Sequence, residues 1–173
     1  ICSGGTFAYT PTSATASPTF AWSRAAVAGI TEGASSGTGA ISETLTNTTT
    51  TPISVVYVVI TTAATCTNGP TGQQVTVIVN PNPVLSSTLT PSSICTGATF
   101  NYTATSATAG ATFSWTRAAI ATINANAAGS GTGNISEALT STSTSPVTVT
   151  YVYTTTANGC STNQNVDVIV HPY

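Results

Sequence analysis

The clearest sign of the fold class of this chain is the segment Val147-Thr148-Val149-Thr150-Tyr151-Val152-Tyr153. Valine or tyrosine stands at every odd position, and threonine fills most positions between them, with Thr154 continuing the series. Because successive side chains of a β-strand point to opposite faces, this alternation predicts a strand with one buried and one solvated face. A solvated face is typical of antiparallel sheets.

Segments of similar character lie on both sides of this strand. They are rich in Thr, Val, Ile and aromatic residues, and clusters of Gly, Pro, Ser and Asn separate them. In the second half of the chain we predict strands at residues 84–90, 99–105, 111–117, 120–123, 134–140, 147–155 and 165–170. Short strands at this spacing predict an all-β, antiparallel sandwich.

The composition excludes several classes of function. Only 3% of the 173 residues are charged, lysine is absent, and the formal net charge is -2. A chain without a basic surface cannot neutralise phosphates, so we expect neither nucleic-acid binding nor a polybasic membrane patch. The longest dense apolar run, residues 55–60, is too short for membrane insertion.

The sequence contains an internal repeat. Motifs of the first half return in the same order: Ile1-Cys2-Ser3-Gly4 as Ile94-Cys95-Thr96-Gly97, residues 20–24 as 113–117, residues 37–43 as 131–137, Cys66 as Cys160, and residues 75–79 as 166–170. The junction Asn80-Pro81-Asn82-Pro83 holds two prolines, which stiffen a linker and break strands. We therefore predict two domains, residues 1–83 and 84–173, each the size of a self-contained sandwich.

Each repeat carries two cysteines at matching places. In a chain that looks secreted, the economical pairing is Cys2 with Cys66 and Cys95 with Cys160, one disulfide per domain. Such a bridge would contribute about 4 kcal/mol in the chain-entropy model. The alternative is metal binding, which the absence of C-x-x-C spacing and the single histidine disfavour.

The two arginines are expected to form ion pairs. Arg24 has the parity of Trp22 on its predicted strand, and Glu43 has the parity of Ile41, so both point toward the apolar side. Arg117 and Glu137 repeat the pattern. We predict the partly buried pairs Arg24–Glu43 and Arg117–Glu137, with separate solvated groups as the alternative.

One apolar stripe is expected to face outward. If Val55, Tyr57 and Val59 face the core, then Val56, Val58 and Ile60 lie on the opposite face of the same strand. The second repeat has threonine at two of these three positions. The stripe predicts contact with a neighbouring domain or another subunit, and harmless scattered exposure is the alternative.

The residues for catalysis are lacking. A nucleophile needs a base within reach, yet the sole histidine, His171, ends the last predicted strand and matches Asn80 in the first repeat. The carboxylates Glu32, Glu43, Glu137 and Asp167 are too few for a typical calcium site and form no repeated acid pair. We therefore predict no enzyme activity, no cofactor and no metal ion.

The order of these motifs resembles the PKD-like repeats of Bacteroidota surface proteins. The resemblance rests on Ile1-Cys2-Ser3-Gly4, residues 20–24, 37–49 and 52–57, Cys66, and residues 75–83, and it covers both repeats nearly end to end. It implies immunoglobulin-like sandwiches strung in arrays within very large secreted proteins, such as gliding-motility adhesins and other proteins exported by the type IX route. It brings no catalytic residues.

The leading hypothesis is a non-catalytic structural repeat of an extracellular cell-surface adhesin or stalk, with neighbouring repeats or copies of itself as partners. The alternative is a subunit of a filament or surface layer. Residues 84–90 precede the second Ile-Cys motif, whereas the first repeat begins at Ile1 without that strand, and an unpaired edge invites strand donation. A preceding repeat would explain the gap equally well.

A third hypothesis is a carbohydrate-binding module with surface polysaccharide as partner. It rests on the aromatic residues Trp22 and Trp115, which could stack on sugar rings. A tryptophan in the third strand of a sandwich is more often part of the core.

Overall fold

The computed structural model describes residues 1–173 and builds them mainly from β-strands. The first half contains β1 (Gly5–Tyr9), β2 (Thr19–Arg24), β3 (Ser35–Thr38), β4 (Ile41–Leu45), β5 (Ile53–Ala63), β6 (Cys66–Thr67) and β7 (Gln73–Val79). The second half contains β8 (Ile94–Cys95), β9 (Thr99–Tyr102), β10 (Thr112–Arg117), β11 (Gly129–Thr132), β12 (Ile135–Ala138), β13 (Val147–Ala157) and β14 (Cys160–His171). A short 3-10 turn, Asn124–Asn126, precedes β11.

The chain divides into two units, Ile1–Asn82 and Pro83–Tyr173, and each unit holds a small and a large sheet. In the first unit β1 pairs with β4, and the larger sheet has the order β3-β2-β5, with β6 and β7 both paired to β5. In the second unit β9 pairs with β12, and the larger sheet has the order β11-β10-β13-β14-β8. All of these pairs are antiparallel except β14 with β8, so the structure confirms the all-β prediction.

The core of the second unit lies between its two sheets. Val149, Tyr151 and Tyr153 of β13 are fully buried, while Val152 between them is 36% exposed. Ile135 of β12, in the small sheet, belongs to the same apolar cluster. The odd-numbered side chains of β13 therefore form the buried face, and each contributes about 1.5–3 kcal/mol by leaving water.

The first unit builds its core from the matching positions. Val55, Tyr57 and Val59 of β5 are buried against Ile41 and Leu45 of β4, in the small sheet. The same period-two pattern therefore specifies the buried face in both repeats.

Two predicted strands do not form. Residues 84–90 contain a single bridge, between Leu85 and Ser106, and residues 120–123 contain another, between Ile123 and Ser141. Pro83 and Pro91 flank the first of these segments and lack the N–H group that a strand ladder needs. Residues 84–90 therefore form no regular strand ahead of the second Ile-Cys motif, and the predicted opening strand on which strand donation was based does not form.

The structure also forms a strand that the sequence pattern misses. Gly129–Thr132 pairs with β10 as an edge strand. Glycine and serine have low strand propensity, so this segment carries no strand signal of its own. Packing explains it, because Gly131 lies directly against the indole of Trp115.

The predicted disulfide pairings are wrong. The backbone of Cys2 forms a β-bridge with Asn80, just beyond the strand pair Ile53–Val79. Cys66 lies opposite Ala63 in the strand pairing at the other end of β5. Ten residues of strand place these ends about 30 Å apart. A disulfide requires a Cα–Cα separation below about 7 Å.

The second unit has the same arrangement of cysteines. In the strand pairing Cys95 lies opposite His171, at the end of β14. Cys160 begins β14 and lies opposite Ala157. The length of β14 again separates the two cysteines by about 30 Å. Cys66 and Cys95 are free thiols, and the disulfide-bonded cysteines are Cys2 and Cys160.

A tight turn follows the first cysteine of each unit. In the second unit Ala98 N–H donates to Cys95 C=O at 3.1 Å, and Gly97 has φ +83°. Gly4 has φ +79° at the matching position. A positive φ at the third residue of a hydrogen-bonded turn requires glycine, which explains the Ile-Cys-x-Gly motif.

Each tryptophan packs on a glycine of the neighbouring edge strand. A methyl group at Gly37 would lie 2.7 Å from the Trp22 ring, and the same holds for Gly131 and Trp115. Trp22 is 9% exposed and contacts Tyr57 edge to face, so it belongs to the core. Its Nε1 makes no hydrogen bond within the protein.

We predict that Gly37→Ala destabilises the first unit by about 1–3 kcal/mol, because the new methyl group forces the indole of Trp22 out of its position. Urea unfolding followed by tryptophan fluorescence measures the loss. Gly33→Ala is the matched control, since nothing lies within 4 Å of its added methyl group. Equal stability of the two variants would contradict this packing argument.

Candidate functional site: an arginine–glutamate–tyrosine cluster in each unit

Arg24 lies at the end of β2 and its side chain is almost completely buried, at 1% exposure. Its Nε donates to Oε2 of Glu43 at 2.9 Å. Glu43 belongs to β4 in the small sheet, so this ion pair connects the two sheets of the first unit. The predicted Arg24–Glu43 pair is therefore present.

The second unit forms the predicted Arg117–Glu137 pair, and two hydrogen bonds join its arginine and carboxylate instead of one. Arg117 Nε donates to Oε2 of Glu137 at 3.1 Å, and Nη2 donates to Oε1 at 2.6 Å. Two parallel hydrogen bonds of this kind are the strongest arrangement available to arginine and carboxylate.

A tyrosine completes each cluster. Tyr57 lies opposite Arg24 in the strand pairing, and its hydroxyl donates to Glu43 Oε2 at 2.6 Å. Tyr151 lies opposite Arg117 and donates to Glu137 Oε2 at 2.6 Å. The alternation in the sequence predicts only that these tyrosines face the core. Their role depends on the strand register, which sequence does not supply.

The remaining guanidinium donors bind backbone carbonyls of a connecting loop. Arg24 Nη2 donates to Gly33 C=O at 2.8 Å, and Arg117 Nη1 donates to Ala127 C=O at 2.8 Å. These loops, residues 25–34 and 118–128, join β2 to β3 and β10 to β11. Each arginine therefore holds a loop as well as the opposite sheet.

Two further polar side chains hold the same loops. Glu32 accepts from Thr46 N–H at 2.8 Å, and the amide oxygen of Asn124 accepts from Thr140 N–H at 2.8 Å. Asn124 also donates to Glu137 Oε1 at 3.2 Å. An acid and an amide thus have the same structural role in the two repeats, which explains why Glu32 has no acidic counterpart.

Burial and hydrogen bonding shift the pKa values of the cluster in opposite directions. Burial opposes ionisation of Glu43 and Glu137, but the hydrogen bonds from the arginine and the tyrosine outweigh it and lower both carboxyl pKa values. Burial, and then the hydrogen bond to the carboxylate, raises the pKa of Tyr57 and Tyr151. The clusters are therefore ionised as carboxylate, guanidinium and neutral phenol at neutral pH.

The chemistry available to these clusters is structural. Each carboxylate already accepts from an arginine and a tyrosine, and each guanidinium binds two or more acceptors. These groups connect the two sheets of each unit and hold the adjoining loop.

The predicted contact stripe is partly covered by its own unit. Val56 is 37% exposed, but Val58 and Ile60 are half-buried. A methyl group at Gly72 would lie 2.8 Å from both of these side chains, so the loop before β7 covers this end of the stripe. Ile78 on β7 is 53% exposed. A partner for the stripe of Val56, Val58 and Ile60 stays a prediction.

The titratable residues outside the clusters are dispersed. His171 is exposed at the end of β14, and Asp167 accepts from the Thr150 hydroxyl at 2.6 Å within the β13–β14 pair. No group of three or more His, Cys, Asp or Glu side chains comes together. The structure contains no helix with the length and apolar character needed to cross a bilayer.

We predict that Tyr151→Phe destabilises the second unit by about 1.5–3 kcal/mol, because it removes a hydrogen bond to a carboxylate. The measurement is denaturant unfolding in a Trp22→Phe background, where Trp115 alone reports. Tyr153→Phe is the matched control: its hydroxyl donates to the neutral carbonyl of Gly133 at 3.0 Å, a bond of about 0.5–1.5 kcal/mol. A loss no larger for Tyr151→Phe would refute the charge-assisted assignment.

We also predict that the free energy of unfolding is highest at intermediate pH and falls in both acid and alkali. The lowered pKa values of Glu43 and Glu137 contribute stability above the unfolded pKa of about 4.3, and this is lost as pH falls through the folded values. The raised tyrosine pKa values contribute stability that is full below about pH 10 and is lost as pH rises further.

Unfolding free energies measured across pH test this prediction, with Glu137→Gln as the diagnostic variant. The variant should be less stable at neutral pH, because Arg117 loses its charge partner, but its stability should depend less on pH in acid. If the unfolding free energy of the variant fell with decreasing pH as steeply as that of the unmodified chain, Glu137 would not contribute to the pH dependence.

The model of the PKD-like domain matches residues 1–83 and again residues 90–172. No curated protein matches the sequence. Among solved structures, an endo-fucoidan hydrolase of glycoside hydrolase family 107 is similar at 12% identity and a TM-score of 0.33; the match covers 97% of this chain and 23% of that chain. A likeness this weak does not inform function.

PKD-like domains are typically extracellular and generally non-catalytic. The family match takes in both copies of the Ile-Cys motif, both ion pairs and both core strands. It covers nearly the whole chain, and the all-β sandwich agrees with it. The chain therefore belongs to the PKD-like domain family, of which it contains two copies.

Proposed function

We propose that the chain is a non-catalytic, load-bearing repeat of an extracellular cell-surface adhesin or stalk. The observation that carries this proposal is a parallel contact between the Ile-Cys segment of each unit and the end of its last strand. In the second unit Ile94–Cys95 pairs in parallel with Val170 and His171. In the first unit Cys2 pairs in parallel with Asn80.

Backbone hydrogen bonds hold this parallel contact. Thr96 N–H donates to His171 C=O at 2.8 Å. In the first unit Ser3 N–H donates to Asn80 C=O at 2.8 Å, and Asn80 N–H donates to Ile1 C=O at 2.8 Å. The two repeats therefore close their terminal segments in the same way.

Parallel pairing matters when the ends of a unit are pulled apart. In a parallel pair, the chain that precedes the first strand and the chain that follows the second strand leave the pair at opposite ends. Tension then shears the hydrogen bonds together, whereas an antiparallel pair with both ends on one side opens one bond at a time. A parallel contact at the termini is therefore suited to carrying load.

The path of the chain through the second unit supports a role in series. Leu85 N–H donates to the Gln164 side chain at 2.6 Å, so the chain enters beside the beginning of β14. It leaves at His171, at the other end of that strand. A domain entered at one end and left at the other adds its length to an array, and the prolines of the junction stiffen the connection.

The two other hypotheses have less support. Strand donation in a filament needed an opening strand at residues 84–90, which does not form. The carbohydrate hypothesis needed exposed indole faces, whereas Trp22 is buried and Trp115 packs against the core and Gly131. The adhesin or stalk role agrees with the family and with both repeats.

We predict that Thr96→Pro weakens the second unit against force. Proline is favoured at the second residue of the turn that begins at Cys95, so the turn is retained while the N–H to His171 is lost. Loss of a hydrogen bond worth about 0.5–1.5 kcal/mol should speed unfolding at fixed force about fivefold. Single-molecule pulling from the chain termini, with disulfides reduced, provides the measurement.

Thr96→Ala is the control, because the threonine hydroxyl bonds to Ser141 and both variants lose that contact. The unaltered first unit is an internal reference in every pulled molecule. If Thr96→Pro and Thr96→Ala unfold at the same rate under force, the parallel contact bears no load and the proposal fails.

A further inference from the structure

The chain has four cysteines, two in each unit. Each unit places one cysteine at each end of its sandwich, and the length of a strand, about 30 Å, prevents the two from meeting. Cysteines that cannot pair within their unit can form disulfides only with cysteines outside it.

The cysteines belong to two kinds by their position. Cys2 and Cys95 begin the tight turn beside the last strand, and we call this the turn position. Cys66 and Cys160 directly follow the hairpin turns after β5 and β13, and we call this the hairpin position. The two positions lie at opposite ends of a unit.

Each position is bonded in one repeat and free in the other. Cys2 at the turn position and Cys160 at the hairpin position are disulfide-bonded. Their equivalents Cys95 and Cys66 are exposed free thiols. The bonded copies show that both positions are competent for a disulfide, and the free copies have the matching backbone pairings.

We propose that Cys66 and Cys95 form disulfides with cysteines of other PKD-like repeats, joined end to end, hairpin position to turn position. This arrangement is heterologous, so it leaves a free cysteine of each kind at the ends of the series and can continue indefinitely. It adds a covalent link to the series arrangement of the proposed function but does not depend on the parallel contact.

The surroundings of Cys66 suit this role. The thiol lies at the rim of an open cleft of about 580 Å³ whose other lining residues, among them Thr12, Ser13 and Asn68, are mostly polar and uncharged. The turn that holds Cys95 is compact and carries no charged side chain. The two surfaces therefore present no charge repulsion to each other.

The chemistry is thiol–disulfide exchange with a disulfide oxidant such as oxidised glutathione or a thiol oxidoreductase. The thiolate of Cys66 attacks one oxidant sulfur, which forms a mixed disulfide and releases one thiolate. The thiolate of a turn-position cysteine then attacks Cys66 Sγ and releases the second. Two protein thiols are oxidised to one disulfide, and one oxidant disulfide is reduced to two thiols.

The test uses the 173-residue chain and the variants Cys66→Ser and Cys95→Ser, each with one free thiol. After incubation with oxidised glutathione, non-reducing electrophoresis should show each variant alone at its monomer mass of 17.2 kDa. An equimolar mixture should shift to double that mass and return to monomer on reduction. The unmodified chain should form a ladder, and its two titratable thiols should disappear.

Several outcomes would overturn the proposal. Dimers of either variant alone, as abundant as in the mixture, would show unspecific oxidation of exposed thiols. A mixture that stays monomeric would show that the two positions do not recognise each other. Neither result affects the force measurement on Thr96→Pro, so the two proposals fail separately.

The same chemistry has two sources of partner, a flanking repeat of one longer polypeptide or a repeat of a separate chain. Peptide mapping of the native protein without reduction identifies the linked cysteines. The denatured mass before and after reduction distinguishes the two sources. A link within one polypeptide leaves the denatured mass unchanged on reduction, whereas a link between chains lowers it. Recovery of Cys66 and Cys95 as free thiols in the native protein would contradict both.

Discussion

The ion pair between the two sheets is the constraint on which the rest of each unit depends. Arg24 and Arg117 are buried in a chain that is only 3% charged, so each needs a fully satisfied partner. Glu43 and Glu137 supply it from the opposite sheet. Because a buried charge tolerates little displacement of its partner, the pair sets the register of the small sheet against the large one. The tyrosine and the loop carbonyls complete the arrangement.

The cluster also explains how the chain forms well-defined units with little charge and no long helix. Threonine and serine on the solvated faces contribute few specific contacts, and β-propensity alone does not distinguish one register from another. One satisfied polar cluster per core favours a single alignment. The two repeats reach this result with different details, since Glu32 in one and Asn124 in the other hold the same backbone N–H.

The ends of the units carry the features that relate to assembly. Parallel closure of the terminal segments is suited to tension, and a cysteine at each end is suited to covalent continuation. Both follow from the same topology, because the last strand of each unit ends beside its Ile-Cys segment, and the other cysteine lies at the opposite end of the long strand pair. In the proposed role, each unit combines a parallel contact suited to tension with a cysteine at each of its ends.

Much of this could be derived from the amino-acid sequence alone. Period-two alternation determined the all-β class and the buried faces of β5 and β13, because side-chain direction along a strand is local. Parity also predicted that the arginines and glutamates point inward. The repeat and the proline junction indicated two similar domains. Glycine and serine at residues 129–132 concealed an edge strand, since that strand forms by packing against Trp115 and not by propensity.

Which of these groups meet depends on the tertiary fold. Tyr57 and Tyr151 join the clusters because of strand register, and register depends on contacts between residues far apart in sequence. The cysteines show the limit most clearly. Matching spacing suggested one bridge per domain, but spacing along the chain says nothing about which end of a 30 Å strand each sulfur occupies. The fold places Cys2 and Cys66, and likewise Cys95 and Cys160, at opposite ends, and distance alone excludes the pairing that sequence favoured.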